Sequence, residues 1–145
     1  MPPLLPHIRL KMLTAFGSSC CTLPPGTILS AAAHPIKNAH SIWELVLHIA
    51  AWDDVVRHHA FGKRAKLTAK QNFPPVEDTS EAAWRTAVEH TRQVHAELVK
   101  TVAEFPDSRL REHVPQDYHN FYFMFSGVAQ HELYHAGQIA LLKKA

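Results

Sequence analysis

The chain has 145 residues, 46% of them hydrophobic and 19% charged, with 15 Lys and Arg against 13 Asp and Glu for a formal charge of +2. That length fits one compact domain over residues 1–145, able to bury about 68–70% of its unfolded surface without help from a disulfide or a metal. The small charge, with Lys and Arg scattered rather than clustered, argues against a nucleic-acid partner, and no stretch reaches the roughly 18 apolar residues of a membrane span.

The start, "MPPLLPHIRLK", lacks the continuous apolar run of a signal peptide, so a cytoplasmic location is expected. Residues 1–39 carry six of the ten prolines (Pro2, Pro3, Pro6, Pro24, Pro25, Pro35). The region is therefore broken up: a short helix from about Leu5 to Phe16 ending at Gly17, then a turn or two from Thr27 to Ala33. Cys20 and Cys21 are adjacent, which suits disulfide geometry poorly. Free thiols in a reducing compartment are expected.

"HSIWELVLHIAAWDDVVRHHAFG" opens with a capping box, Ser41 and Glu44. Apolar residues recur at Ile42, Leu45, Val46, Ile49, Trp52 and Val56, which is helical spacing, and Gly62 fits just past the end. "GKRAKLTAKQNFPPVED" reads as a polar connection closed by Pro74 and Pro75. Asp78 with Glu81 signals the next start, and a helix follows to about Phe105, where Pro106 stops it. Its stripe is Trp84, Val88, Thr91, His95, Leu98, Val102 and Phe105. After the loop "PDSRLREHVPQDYHN" a last helix runs from about Phe121 to Lys143. Nothing reads as a sheet. Three long amphipathic helices and an N-terminal one predict an all-α four-helix bundle with a short, proline-rich N-terminal region.

Twelve histidines are the unusual feature of the composition. The last helix contains "HELYH", which satisfies H-E-x-x-H, a pattern in which two His one turn apart bind zinc while the Glu activates water. His131 and His135 have that spacing. The familiar proteases take a third ligand from downstream, yet "AGQIALLKKA" contains no His, Cys, Asp or Glu. Any third ligand must come from upstream, and the usual protease architecture is excluded. A lone His on an apolar face is commonly a hydrogen-bonded core residue. Two at i, i+4 amid Val128, Ile139 and Leu142 point to a shared metal, because burying two unpaired imidazoles costs a few kcal/mol.

A catalytic zinc site has three protein ligands and one open position. On spacing, His48 between Leu45 and Trp52 and His95 within its stripe are both candidates for the third ligand, and His40 is a weaker one. His58, His59 and His90 lie towards helix ends or polar faces; His7, His34, His113 and His119 lie in loops.

Taken together, "NAHSIWELVLHIAAWDDVV" and "YFMFSGVAQHELYHAGQIALLKK" resemble the DinB/YfiT superfamily of four-helix-bundle metal proteins. The resemblance runs from about His40 to the C-terminus through "FPPVEDTSEAAWRTAVEH" and "FPDSRL". It rests on a His followed by "IAAW" and on H-x-x-x-H followed by "AGQI". It implies His48, His131 and His135 as the metal ligands, with His95 a core or supporting residue. It also makes Glu132 incidental, about 100° around the helix from His131. The first third departs from the family pattern, and "GSSCCTLPPGT" matches nothing in it.

A dication held by three neutral imidazoles keeps its full charge and lowers the pKa of whatever occupies its open position. Hydrolysis and thiol transfer both follow from that. The resemblance implies thiol transfer: similar proteins use low-molecular-weight thiols such as bacillithiol or mycothiol. The expectation is a thiol-dependent transferase acting on a small electrophile. A non-catalytic metal-binding stress-response protein and a metal-dependent hydrolase are the alternatives. Zn2+ is the expected metal, with Ni2+ binding such a site at least as tightly. Glu44 and Gln138, each one turn from a ligand, are the nearest polar residues to support the imidazoles, and the resemblance implies a homodimer.

Overall fold

The computed structural model describes residues 28–145 apart from 116 and 118. The predicted helix over Leu5–Phe16 and the pair Cys20 and Cys21 lie outside the described residues. Within them the chain forms α1 (Ile28–Ala32), α2 (Ile42–Ala60), α3 (Ala69–Asn72), α4 (Glu81–Glu104), a 3-10 turn (Asp107–Arg109) and α5 (Phe121–Leu142). No strand occurs among the described residues; His113 and Asn120 form a single isolated bridge. The architecture is an all-α bundle built on three long helices.

Local chemistry sets the helix ends. The Ser41 side chain accepts from the Glu44 backbone while the Glu44 carboxylate accepts from the Ser41 backbone, completing the capping box. At the other end Gly62 adopts φ 73°, and the bonds Gly62 N–H to His59 O and Lys63 N–H to His58 O close a Schellman motif. Helix α4 starts differently from the sequence reading. Its cap is Ser80, which accepts from Ala83 N–H, while the Asp78 carboxylate accepts from Ser80 N–H and so braces the cap from outside. Asn120 caps α5 through the Phe123 N–H.

The connection between α2 and α4 is not plain coil. Thr68 and Gln71 make a second capping box that nucleates α3. A helix of four residues has no hydrophobic stripe to reveal it.

The core divides into two apolar clusters. One holds Ile42, Trp43, Val46, Ile49, Trp84, Val88 and Ile139; the other holds Val56, Leu98, Val102, Phe105, Phe121, Phe125 and Val128. Each long helix contributes to both, so α2 and α4 run the same way and α5 runs back. That order explains the long return through α3. Helix α2 packs against both α4 and α5. Between the clusters the three helices carry a buried polar layer, where Asp53, Thr91, Glu132 and both His48 and His135 are found. Trp52, expected in the α2 stripe, is 37% exposed. The stripe passes from Ile49 through Asp53 to Val56 and leaves Trp52 on its edge.

Candidate metal centre

Two side-chain clusters occupy the polar layer. In the first, the Nε2 atom of His131 lies 3.0 Å from Nε2 of His48 and 3.0 Å from Nε2 of His135. Helix α2 supplies one ring and α5 supplies two from successive turns. The structure thus brings together all three residues expected as ligands. His95 is elsewhere, and His40 stacks on Phe73 at 3.7 Å rather than joining the three.

The far side of each ring determines what these nitrogens can do. His48 Nδ1 lies 2.7 Å from the Asn72 carbonyl oxygen, and His135 Nδ1 lies 2.6 Å from Gln138 Oε1. Both partners are acceptors, so both Nδ1 atoms carry the proton and both Nε2 atoms present lone pairs. A single N–H on His131 could not satisfy two lone pairs placed on either side of it. With His131 Nε2 3.0 Å from each of the other two and all three within 4.8 Å of one another, the nitrogens are spaced as ligands of one dication at ~2.0–2.1 Å. The donor set therefore fits a divalent metal, and it could hold one.

Electrostatics keep these rings neutral. Burial lowers the pKa of His131 to about 4, helped by the neighbouring His135 and His48. Burial also lowers His48 against the opposing pull of the Asn72 carbonyl, and lowers His135 against that of Gln138. Neutral imidazole is the form that binds metal.

The surroundings come from unexpected places. Phe73, just past α3, stacks on His48 with ring centroids 4.1 Å apart and planes within 4°. The Trp52 indole N–H donates to Asn72 Oδ1 at 2.8 Å, so Asn72 braces Trp52 with its side chain and His48 with its backbone. Of the two supporting residues expected, Gln138 takes that role. Glu44 does not: its carboxylate is committed to the capping box, 3.0 Å from His34 and 3.5 Å from His40. Apolar residues Trp52, Val56, Phe123, Met124 and Val128 line a cavity of about 270 Å³ that reaches His131.

The second cluster is Asp53, His95 and Glu132, one residue from each long helix. His95 Nδ1 lies 3.3 Å from Asp53 Oδ2 and 3.2 Å from Glu132 Oε1, and both carboxylates are 0% exposed. Burial pushes the Asp53 carboxyl up to about 7 against the pull of His95. Burial opposes protonation of His95, yet the two carboxylates overcome it and raise its pKa to about 9.

Glu132, expected to be incidental, and Asp53, which nothing in the sequence analysis singles out, are both members of this cluster. The 100° that separates Glu132 from His131 carries it into the core, onto the line Phe121, Phe125, Val128, Glu132, His135, Ile139. Asp53 likewise continues the line Ile42, Val46, Ile49, Val56. An acidic residue in register with an apolar stripe was the available signal. With its carboxylate facing His95, Glu132 is not placed as the water-activating Glu of an H-E-x-x-H protease.

No helix among the described residues is long and apolar enough to cross a membrane. No curated protein and no solved structure gives a match. The DinB superfamily profile matches residues 29–139, which takes in α1 through most of α5 and all six residues of the two clusters. The chain therefore belongs to the DinB superfamily.

Proposed function

We propose that His48, His131 and His135 hold one divalent cation, Zn2+ by preference and Ni2+ next, and that the protein transfers a small thiol to a small electrophile. The observation that carries this reading is the convergence of three Nε2 atoms whose opposite nitrogens, in His48 and His135, are held by acceptors. Three neutral ligands leave the cation its full charge, and the chemistry it supplies is Lewis acidity, the lowering of a bound group's pKa.

The chain's own residues do the rest. Asn72 and Gln138 fix the tautomers and ring orientations of two imidazoles. Phe73 covers one face of His48, and Trp52 walls the cavity beside His131. The cavity's apolar lining suits the body of a small electrophile and excludes water that would compete with a thiol. A second cleft, of about 480 Å³, shares Trp52 and Asp117 with this cavity and is also lined by Arg64, Lys66 and Asn72. Arg64 and Lys66 outnumber Asp117 in that lining, a balance that suits a thiol carrying a carboxylate.

The test is turnover. Metal-loaded protein is incubated with a panel of low-molecular-weight thiols and chlorodinitrobenzene. Thiol-dependent product formation that disappears in His131→Ala supports the transferase. Metal binding with no turnover for any thiol, or turnover without thiol, would replace it with the binding-protein or hydrolase reading respectively.

A further inference from the structure

We propose that Asp53, His95 and Glu132 form a second divalent-cation site, distinct from the three-histidine site and suited to an oxygen-preferring metal such as Mn2+ or Fe2+. The three residues come from α2, α4 and α5, and their candidate ligand atoms all lie within 4.8 Å of one another.

The first observation is spacing. An ion pair between an imidazolium N–H and a carboxylate draws in to about 2.7–2.9 Å. Here one nitrogen stands 3.3 Å and 3.2 Å from two carboxylate oxygens. Those are the separations of neighbouring ligands around a dication at ~2.0–2.2 Å, the same spacing logic as at the three histidines.

The second observation is independent of the first. Asp53 Oδ1 and Glu132 Oε2 are buried and accept no N–H or O–H from another described residue; the Asp53 and Glu132 carboxyls lie against one another instead. Both side chains are fully buried, so each unpaired oxygen bears a desolvation cost. Bidentate binding to one cation would use all four carboxylate oxygens. It would also cancel two negative charges with two positive ones, leaving His95 as a neutral ligand. Two carboxylates and one imidazole form a harder donor set than three imidazoles, so oxygen-preferring Mn2+ and Fe2+ compete with softer ions better here than at the three histidines. The side chain of His95 is 13% exposed, whereas those of Asp53 and Glu132 are fully buried.

Metal-stripped protein is dialysed against Zn2+, Mn2+ or both, and bound metal per chain is counted by mass spectrometry, with Mn2+ also followed by paramagnetic resonance. Wild-type chain should take two equivalents when both metals are offered. Asp53→Asn and Glu132→Gln, each checked for helical content by circular dichroism, should lose the Mn2+ equivalent and keep Zn2+. His48→Ala should do the reverse. Loss of Zn2+ binding in wild type would count against the three-histidine reading alone. Wild-type protein that takes no Mn2+, or Mn2+ binding unchanged in both carboxamide variants, would overturn the second site.

Discussion

At the scale of single residues, the centre depends on which nitrogen of each imidazole faces inwards. Gln138 decides this for His135 and the Asn72 carbonyl decides it for His48. Gln138→Ala should therefore weaken Zn2+ binding about 10–100-fold while leaving the fold intact, as measured by competition with a chelating dye. His48→Ala should remove the three-histidine equivalent altogether. A pH effect follows from His131. Its pKa is lowered to about 4 in the folded chain, against about 6.5 unfolded. The unfolded state thus takes up the proton first, and metal-free protein should lose stability as pH falls from about 6.5 towards 4. Denaturant midpoints across that range would show this contribution, and His131→Gln should flatten the slope.

The same scale shows why the site was only partly legible. The i, i+4 pair His131 and His135 is visible because both ligands share a helix. On spacing alone the third ligand is only narrowly separable, His48 slightly ahead of His95, since each lies on or at the edge of an apolar stripe. Periodicity gives the face of a helix but not the depth along the bundle at which two faces meet. Asp53 and Glu132 were lost to the opposite habit, that acidic residues face water.

At the scale of elements, α3 is the part the pattern concealed, yet it delivers Asn72 and Phe73 to His48. Thr68 caps it. Thr68→Ala should cost about 1 kcal/mol of local helix stability and should lower metal affinity, because the loss loosens the Asn72 carbonyl. Zn2+ affinity measured beside thermal unfolding would separate the two effects. Ser41→Ala, at the cap of α2, should lower global stability by about 1 kcal/mol instead. The long helices themselves were legible within a residue or two because their caps and stripes agree. The start of α4 moved from Asp78 to Ser80 because two acceptors compete there and only one can be the cap.

At the scale of the whole molecule, the bundle isolates its polar layer between two apolar clusters. Each cluster contains large buried rings, among them Trp43 and Trp84 in one and Phe121 and Phe125 in the other. That arrangement holds three helices at one level, so residues distant in sequence meet. We also propose the homodimer expected from the family resemblance. Helix α5 exposes Tyr122, Leu133, Tyr134 and Leu141 on its outward side, an apolar surface suited to a second copy. Sedimentation equilibrium should give twice the chain mass, and Leu141→Glu should shift it towards the monomer.

The most direct test of the central claim is a crystal structure of the zinc-loaded protein with anomalous diffraction at the zinc edge. An anomalous peak should stand ~2.0–2.1 Å from Nε2 of His48, His131 and His135 with no fourth protein ligand. A peak that leaves any of these imidazoles unattached, or one closed by a fourth side chain, would contradict that claim.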